Sequence, residues 1–224
     1  MATVHTSLVI AAVKKWKIHH MDVHNAFLHG DLAEERIYAL DIISEIGLLG
    51  AKPVEFPMEQ NHRLALAAGR FLDDPERYHR LVGQLIYLGV TRPDLAYSIH
   101  ILSQFMQQPE EEHWEEELRV VRYLKNNLGQ GILLHADSTL HLEGWCDSDW
   151  ASCPLMQRSL SGWFVLLGYS PVSWKTKRQP TISRSSAEAK YRPMASITWE
   201  LKWLKQLLGE LGVQHKKGMR EIVI

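Results

Sequence analysis

The hydrophobic periodicity of the chain changes at Gly131, and this change limits its possible folds more than any other feature. Before Gly131, apolar residues recur every three to four positions, which is the spacing of amphipathic helices. After Gly131, short runs of apolar and aromatic residues are separated by glycine and proline, which is typical of strands. A helical first part followed by strands and a long helix predicts an α/β (α+β) fold.

Four helices are predicted in the first part of the chain. The first has Thr6 or Ser7 available as an N-cap, and Pro75 opens the second. Glycines and prolines between residues 50 and 75 predict an irregular connector. The predicted helices cover residues 5–16, 75–89, 93–107 and 111–125.

Four strands and one long helix are predicted in the second part. Residues 168–171 form a hairpin turn before the last strand. The helix begins near Ser186, where Ser185 as N-cap and Glu188 three residues later predict a capping box. Pro193 lies in an early turn of this helix, where a proline kinks the helix or costs about 3 kcal/mol. The predicted strands cover residues 131–135, 142–147, 162–167 and 172–175.

The composition allows a folded core but indicates no partner by charge. Of the 224 residues, 46% are hydrophobic and 23% are charged, which is ordinary for a globular protein. The net charge is -1, so nucleic-acid binding would depend on a local basic patch. Cys146 and Cys153 have no further cysteines near them and indicate neither a zinc site nor a disulfide framework. No stretch reaches the roughly 18 apolar residues of a membrane span, so we expect no membrane contact and a cytoplasmic or nuclear location.

Several motifs resemble, in the same order, parts of the Pol polyprotein of copia-type retrotransposons. Residues 21–31 (MDVHNAFLHGD) are similar to the reverse transcriptase motif that carries the first catalytic aspartate. Residues 78–88 (YHRLVGQLIYL) and 91–97 (TRPDLAY) look like the helices that follow the polymerase. Three further motifs resemble the ribonuclease H domain: residues 146–153 (CDSDWASC), 172–175 (VSWK) and 183–192 (SRSSAEAKYR).

The resemblance implies three segments. Residues 1–40 would be a fragment of the reverse transcriptase palm, and residues 41–130 a helical connection segment. Residues 131–224 would be a truncated ribonuclease H-like domain, in which a mixed sheet packs against a long helix. The activity implied by the family is RNA-directed DNA synthesis and RNA cleavage in RNA–DNA hybrids, with Mg²⁺ as cofactor.

The same resemblance implies that Asp22 is a catalytic relic. In the family, a long stretch with a Tyr-Val-Asp-Asp hairpin separates the segments that meet here at Tyr38 and Ala39. Polymerisation needs Mg²⁺ ions held by several carboxylates, and Asp22 alone cannot hold them. We therefore expect polymerase activity to be absent.

Ribonuclease H chemistry needs a cluster of acids around two Mg²⁺ ions. By motif match Asp147 is the first ligand, and Asp149 could share its face and assist the metal. Lys190 stands where the family has a catalytic glutamate, and Glu188 is rotated from that position by about 200° around the helix. The tail after residue 213 has no strand that resembles the source of the remaining ligands. Asp147 is thus expected to be a relic, with Mg²⁺ not bound productively.

The best candidate for nucleic-acid binding is a basic patch formed by Trp174, Lys175, Lys177, Arg178 and Arg184. An aromatic ring among cations can stack on a base beside phosphate contacts. The alternative is a solvated hairpin with ordinary charges.

Three functional hypotheses remain from the sequence. The favoured one is a degenerate, catalytically inactive reverse transcriptase/ribonuclease H fragment with weak binding to RNA–DNA hybrids or other nucleic acid. The second is a residual metal-dependent hybrid ribonuclease that uses Asp147 and Asp149. The third is an interaction module that joins an intact element's polymerase through the helices of residues 75–127. The sequence leaves the oligomeric state open.

Overall fold

The described residues of the chain form two compact units. The first, here called the sheet unit, contains those between Met1 and His19 and between Ile132 and Ile224. The second, the helical unit, contains those between His20 and Gly131. Asp22 lies outside the described residues. The computed structural model describes residues 1–16, 32–59, 62, 64–153, 156–213 and 220–223.

Helices and strands follow one another along the chain in the order expected for a helical part before a strand-rich part. Three short 3-10 helices, at residues 64–66, 93–95 and 103–105, lie in the helical unit. The main elements are α1 (Ala2–Val13), α2 (Leu32–Glu45), α3 (Pro75–Leu88), α4 (Ala96–Leu102), α5 (Glu111–Asn126), β1 (Leu142–Asp149), β2 (Leu160–Leu167), β3 (Ser170–Arg178), α6 (Ser186–Glu210) and β4 (Arg220–Val223).

The sheet unit contains a four-stranded mixed sheet with the order β3-β2-β1-β4. The strands β1, β2 and β3 are antiparallel neighbours. The turn between β2 and β3 includes Gly168, whose φ of +62° is a conformation that glycine adopts easily. After α6 the chain returns as β4, which pairs parallel with β1 so that Val223 lies beside Cys146.

Two sequence-based assignments in this unit are wrong. Residues 131–135 form no strand, and the amide of His135 donates to Ser170 Oγ at 2.9 Å instead of joining a ladder. The first helix begins at Ala2, with Met1 and not Thr6 or Ser7 at its N-cap. Thr6 is fully buried among tertiary contacts, so the helix extends past it. The strand β4 was not predicted.

Both α6 and α1 share one core with the sheet. Gly144 lets α6 come close to β1, because a Cβ at this glycine would lie 2.7 Å from Ile197 Cδ1. From α1, Val9 and Ile10 are fully buried in the same cluster. Lys14, just after α1, donates from Nζ to the carbonyl of Leu211 at 3.3 Å, where a cation complements the C-terminal end of the α6 dipole. This helix therefore belongs to the sheet unit, which differs from the sequence-based grouping of residues 1–40.

A buried glutamine connects three elements of the sheet unit. Gln179, which follows β3, is only 4% exposed. Its Nε2 lies 3.2 Å from Ser148 Oγ on β1, 2.8 Å from Ser161 Oγ on β2 and 2.9 Å from the carbonyl of Ala189 on α6. Its Oε1 accepts from Ser183 Oγ at 2.7 Å. An amide nitrogen has two hydrogens, so these three acceptors share two donors.

The contact to Ala189 explains how α6 accommodates Pro193. In a regular helix the carbonyl of Ala189 would accept from the backbone nitrogen of residue 193, but proline has no N–H. The side chain of Gln179 supplies the missing donor at 2.9 Å. The helix continues through Pro193, which is buried, and ends at Glu210.

The helical unit packs α2 to α5 around its own hydrophobic core. The predicted helices that begin at Pro75 and Glu111 are confirmed. The helix predicted over residues 93–107 is helical from Pro93 to Phe105, but only Ala96–Leu102 is α-helical, and 3-10 helices precede and follow this part. At its end Ser103 Oγ donates to the carbonyl of His100 at 2.9 Å. One continuous helix, α2, crosses the junction between Tyr38 and Ala39. Among the described residues, no helix has both the length and the apolar character needed to cross a bilayer.

One glutamate is buried in the core of the helical unit. Glu117 on α5 has no exposed surface, and neither carboxylate oxygen has a hydrogen-bond partner in the described part of the chain. Burial raises the pKa of Glu117 to about 9, so the side chain is protonated at neutral pH. The neighbouring Tyr78 donates its hydroxyl to the carbonyl of Leu102 at 2.8 Å.

Replacing Gln179 tests the link between the sheet and α6. We expect Gln179→Ala to lower the unfolding free energy by about 2–4 kcal/mol, because several buried polar groups lose their partner. In a Pro193→Ala background the loss should be smaller by about 1 kcal/mol, since the substituted alanine would supply the backbone N–H that the carbonyl of Ala189 needs. Urea unfolding followed by tryptophan fluorescence measures the cycle. Gln206→Ala, at an exposed position of α6, is the control. If the effects of Gln179→Ala and Pro193→Ala on the unfolding free energy were strictly additive, the hydrogen bond between Gln179 and the carbonyl of Ala189 would be contradicted.

Glu117 should make the helical unit less stable as pH rises. The folded pKa of about 9 exceeds the ordinary 4.5, so between these values the folded state binds a proton that the unfolded state releases. The unfolding free energy should fall by up to about 1.4 kcal/mol per pH unit in this range. Hydrogen-exchange rates of peptides from α3 and α5, corrected for the intrinsic exchange rate at each pH, would measure this change in the unfolding free energy. Glu117→Gln should remove the slope and the exposed Glu115→Gln should keep it; a slope unchanged by Glu117→Gln would refute the assignment.

Candidate functional site

The two aspartates of the ribonuclease H-like motif lie on the sheet face that points away from α6. Gly144 and Ser148 face α6, since they contact Ile197 and Gln179. Successive side chains of a strand point to opposite faces. Asp147 and Asp149 therefore share the other face, and both are exposed. In register, Asp147 lies beside Gly162 of β2, which has no side chain to approach a metal.

Glu188 is held by the first turn of α6. Its backbone N–H donates to Ser185 Oγ at 3.1 Å, which confirms Ser185 as the N-cap. The Oε2 atom accepts from the backbone of Arg184 at 2.8 Å, one residue before the N-cap, and Oε1 accepts from Arg192 at 2.8 Å. These bonds, that to Arg192 first, lower the pKa of Glu188. The carboxylate thus stabilises the start of the helix.

Lys190 does not come together with the aspartates of β1. It is exposed on α6 beside Ala189, whose buried side chain faces the sheet. Within the described ranges, no three histidine, cysteine, aspartate or glutamate side chains are placed to hold a metal ion. These residues therefore do not fit the Mg²⁺ pair that the family resemblance implies.

Four residues of the basic patch lie on the two faces of β3, and Arg184 lies in the connection between β3 and α6. Lys175 and Lys177 pair in register with Trp163 and Ser161. Trp174 and Arg178 alternate with them and point to the opposite face. Lys175, Lys177 and Arg184 are exposed, whereas Arg178 is half-buried. The patch is thus an edge of the sheet with cations on either side, and not one flat surface.

The ring of Trp174 is already covered on one side. His5 of α1 stacks on it with ring centroids 5.1 Å apart and an angle of 14° between the planes. His5 Nδ1 lies 3.4 Å from the carbonyl of Val172, and burial lowers the pKa of His5, which favours the neutral imidazole at pH 7. The face of the Trp174 ring that His5 covers is therefore closed to a ligand.

Sequence reasoning missed two residues beside this patch, Glu200 and Trp203 on α6. They are three positions apart and therefore lie on the same helix face. Ser173 Oγ donates to Glu200 Oε1 at 2.7 Å, which joins this face to β3. Their spacing indicated a shared helix face, but only the fold shows that this face lies beside β3.

Comparison with known proteins identifies relatives that include two much longer polyproteins and one protein of similar length. The chain is 43% identical to the retrovirus-related Pol polyprotein from transposon RE2 of Arabidopsis thaliana over 180 residues, which are 80% of this chain and 12% of that protein. The corresponding protein from transposon RE1 of the same plant is 42% identical over 80% of this chain and 12% of its own length. An uncharacterized mitochondrial protein of Arabidopsis thaliana is 38% identical over 74% of this chain and 69% of its own length.

The chain spans about an eighth of the length of the two Pol polyproteins. No protein-family model matches it, and no solved structure does. The relatives nevertheless match most of the chain at high identity, and one of them is matched over most of its own length. The chain belongs to the retrovirus-related Pol polyproteins of copia-type transposons.

Proposed function

We propose that the chain is a nucleic-acid-contacting region of a Pol polyprotein that lacks polymerase and ribonuclease H catalysis. The main observation concerns the missing ribonuclease H catalysis and is the position of Asp147 and Asp149 on the face opposite α6. Its two parts, the missing catalysis and the retained binding, rest on different residues.

The topology of the sheet unit supports a ribonuclease H-like origin. Three antiparallel strands are followed by a long helix, after which β4 pairs parallel with β1. This arrangement is consistent with the mixed sheet and long helix that the family resemblance implies. Asp147 lies near the carboxyl end of β1, just beyond the residues that pair with β4.

The positions of the acidic residues argue against metal-dependent cleavage. Two-metal hydrolysis needs carboxylates that converge from several elements on one point. Here the described acids of β1 and α6 are on different sides of the sheet, and Glu188 accepts hydrogen bonds from the backbone N–H of Arg184 and the guanidinium of Arg192. Lys190 stands where the family has a glutamate, so this position offers no carboxylate to a metal ion.

The basic edge of the sheet supports nucleic-acid binding. Lys175, Lys177 and Arg184 are exposed, and no carboxylate forms an ion pair with them among the described residues. Ammonium and guanidinium groups in this state can contact phosphates and release counterions. Because the protein has a net charge of -1, this binding would be local and weak.

A cleavage assay tests the missing catalysis. We expect no cleavage of an RNA–DNA hybrid in Mg²⁺ or Mn²⁺ above the level of Asp147→Asn, because no carboxylate cluster is present among the described residues to hold the ions. Product formation on a labelled hybrid is the measurement. Cleavage that Asp147→Asn abolishes and the exposed Glu210→Gln leaves intact would overturn this part of the proposal.

A binding assay tests the basic edge. The affinity for a labelled hybrid, measured by fluorescence anisotropy at several salt concentrations, should fall as salt rises. The double variant Lys177→Ala/Arg184→Ala should bind more weakly, and its log–log salt slope should be smaller by about 1 for each lost phosphate contact. The control, Lys52→Ala/Lys205→Ala, removes the same charge from exposed positions elsewhere. Equal losses in both double variants would show that the basic edge is not the binding surface.

A further inference from the structure

The sheet unit contains an open cavity of about 350 Å³ beside β3. We call it the β3 pocket. Aromatic side chains, one carboxylate and one ammonium line it, together with the start of α1. Its residues are Met1, Ala2, Thr3, Trp163, Ser173, Trp174, Lys175, Glu200 and Trp203.

We propose that the β3 pocket binds a single nucleotide whose base carries an amino group, as guanine, adenine and cytosine do. The inference deepens the proposed function and rests on it, because Trp174 and Lys175 also belong to the basic edge. It adds a recognition site for an unpaired base, which duplex binding does not require.

The tryptophans provide the surface for a base. Trp203 is 43% exposed, so its ring is open to a ligand. Trp163 is half-buried and lines the same cavity. Nucleobases stack on such rings with little dependence on sequence, because every base has a flat π-face. The tryptophans thus explain binding of a base but not a choice among bases.

Glu200 supplies the choice. Ser173 Oγ donates to its Oε1 at 2.7 Å and fixes the orientation of the carboxylate. The other oxygen, Oε2, has no hydrogen-bond partner in the described part of the chain. An ionised carboxylate only accepts hydrogen bonds. It therefore favours the exocyclic amino group of guanine, adenine or cytosine and disfavours the O4 carbonyl that uracil presents where cytosine has its amino group.

Lys175 argues for a nucleotide and against an organic cation. Its ammonium lies 5.4 Å from the centroid of the Trp163 ring, so a cation already occupies one aromatic face of the pocket. A second cation would be repelled by this ammonium. The phosphate of a nucleotide would be attracted to it, while the base lies between Trp203 and Glu200.

Titration with mononucleotides tests the proposal. The folded full-length chain should carry its purification tag at the C-terminus, because Met1–Thr3 line the pocket. In saturation-transfer NMR titrations, GMP, AMP and CMP should each bind at least about fivefold more tightly than UMP. Trp203→Ala should weaken GMP binding about tenfold, whereas Trp199→Ala, which removes an exposed tryptophan outside the pocket on the same helix, should not change it.

The carboxylate is tested by a second pair of variants. Glu200→Gln should bring the affinities of GMP and UMP within about twofold of each other, because an amide can donate as well as accept. Glu210→Gln, on the exposed end of α6, should keep the discrimination. Circular dichroism melts confirm that each variant is folded.

Three outcomes would overturn the inference. These are equal affinity for UMP and GMP in the unaltered chain, no effect of Trp203→Ala on GMP binding, and saturation by tetramethylammonium in place of GMP. If salt-dependent hybrid binding persists while GMP does not bind, only the pocket proposal fails. If GMP binds while the hybrid does not, the proposed function fails and the pocket stands as a separate site.

Discussion

The sheet unit depends on a single buried side-chain amide. Gln179 connects β1, β2 and α6 because its nitrogen lies within hydrogen-bond distance of Ser148, Ser161 and the carbonyl of Ala189. An apolar residue of similar size would take this partner from the carbonyl of Ala189 and the hydroxyl of Ser183 in a region that excludes water, where each such loss is expensive. The same amide allows a proline inside the long helix. The hydrogen bond that joins α6 to the sheet is therefore also the one that accommodates Pro193.

That interaction also fixes the direction of the acidic residues. Ser148 must face α6 to reach Gln179, and strand alternation then directs Asp147 and Asp149 to the opposite face. A rotation of β1 that turned the aspartates toward α6 would take Ser148 out of the network and Cys146 out of the core. The geometry that stabilises this unit is thus also the geometry that holds Asp147 and Asp149 on the face opposite α6.

Local pattern was sufficient where an element buries its own stripe of apolar residues. The helices α3, α5 and α6 and the strands β1 to β3 were predicted for this reason, and Ser185 was identified as an N-cap from its neighbours alone. The strand β4 could not be predicted, because four residues acquire strand structure only by pairing with β1. The motif identified Asp147 as a candidate but did not indicate which face of the sheet its side chain is on. Glu200 and Ser173 are 27 positions apart, and only the fold shows that they share a pocket.

The packing of α1 has a consequence for how the chain folds during synthesis. His5 reaches the carbonyl of Val172 across 167 positions of sequence, so the sheet unit is closed by one of the longest-range contacts the chain could make. Long-range contacts of this kind slow folding, because a large loop must be closed before they form. The helical unit is complete by Gly131 and can fold while the ribosome is still making the strands. Val9 and Ile10 of α1 can therefore bury their side chains in the core of the sheet unit only after the strands and α6 have been made.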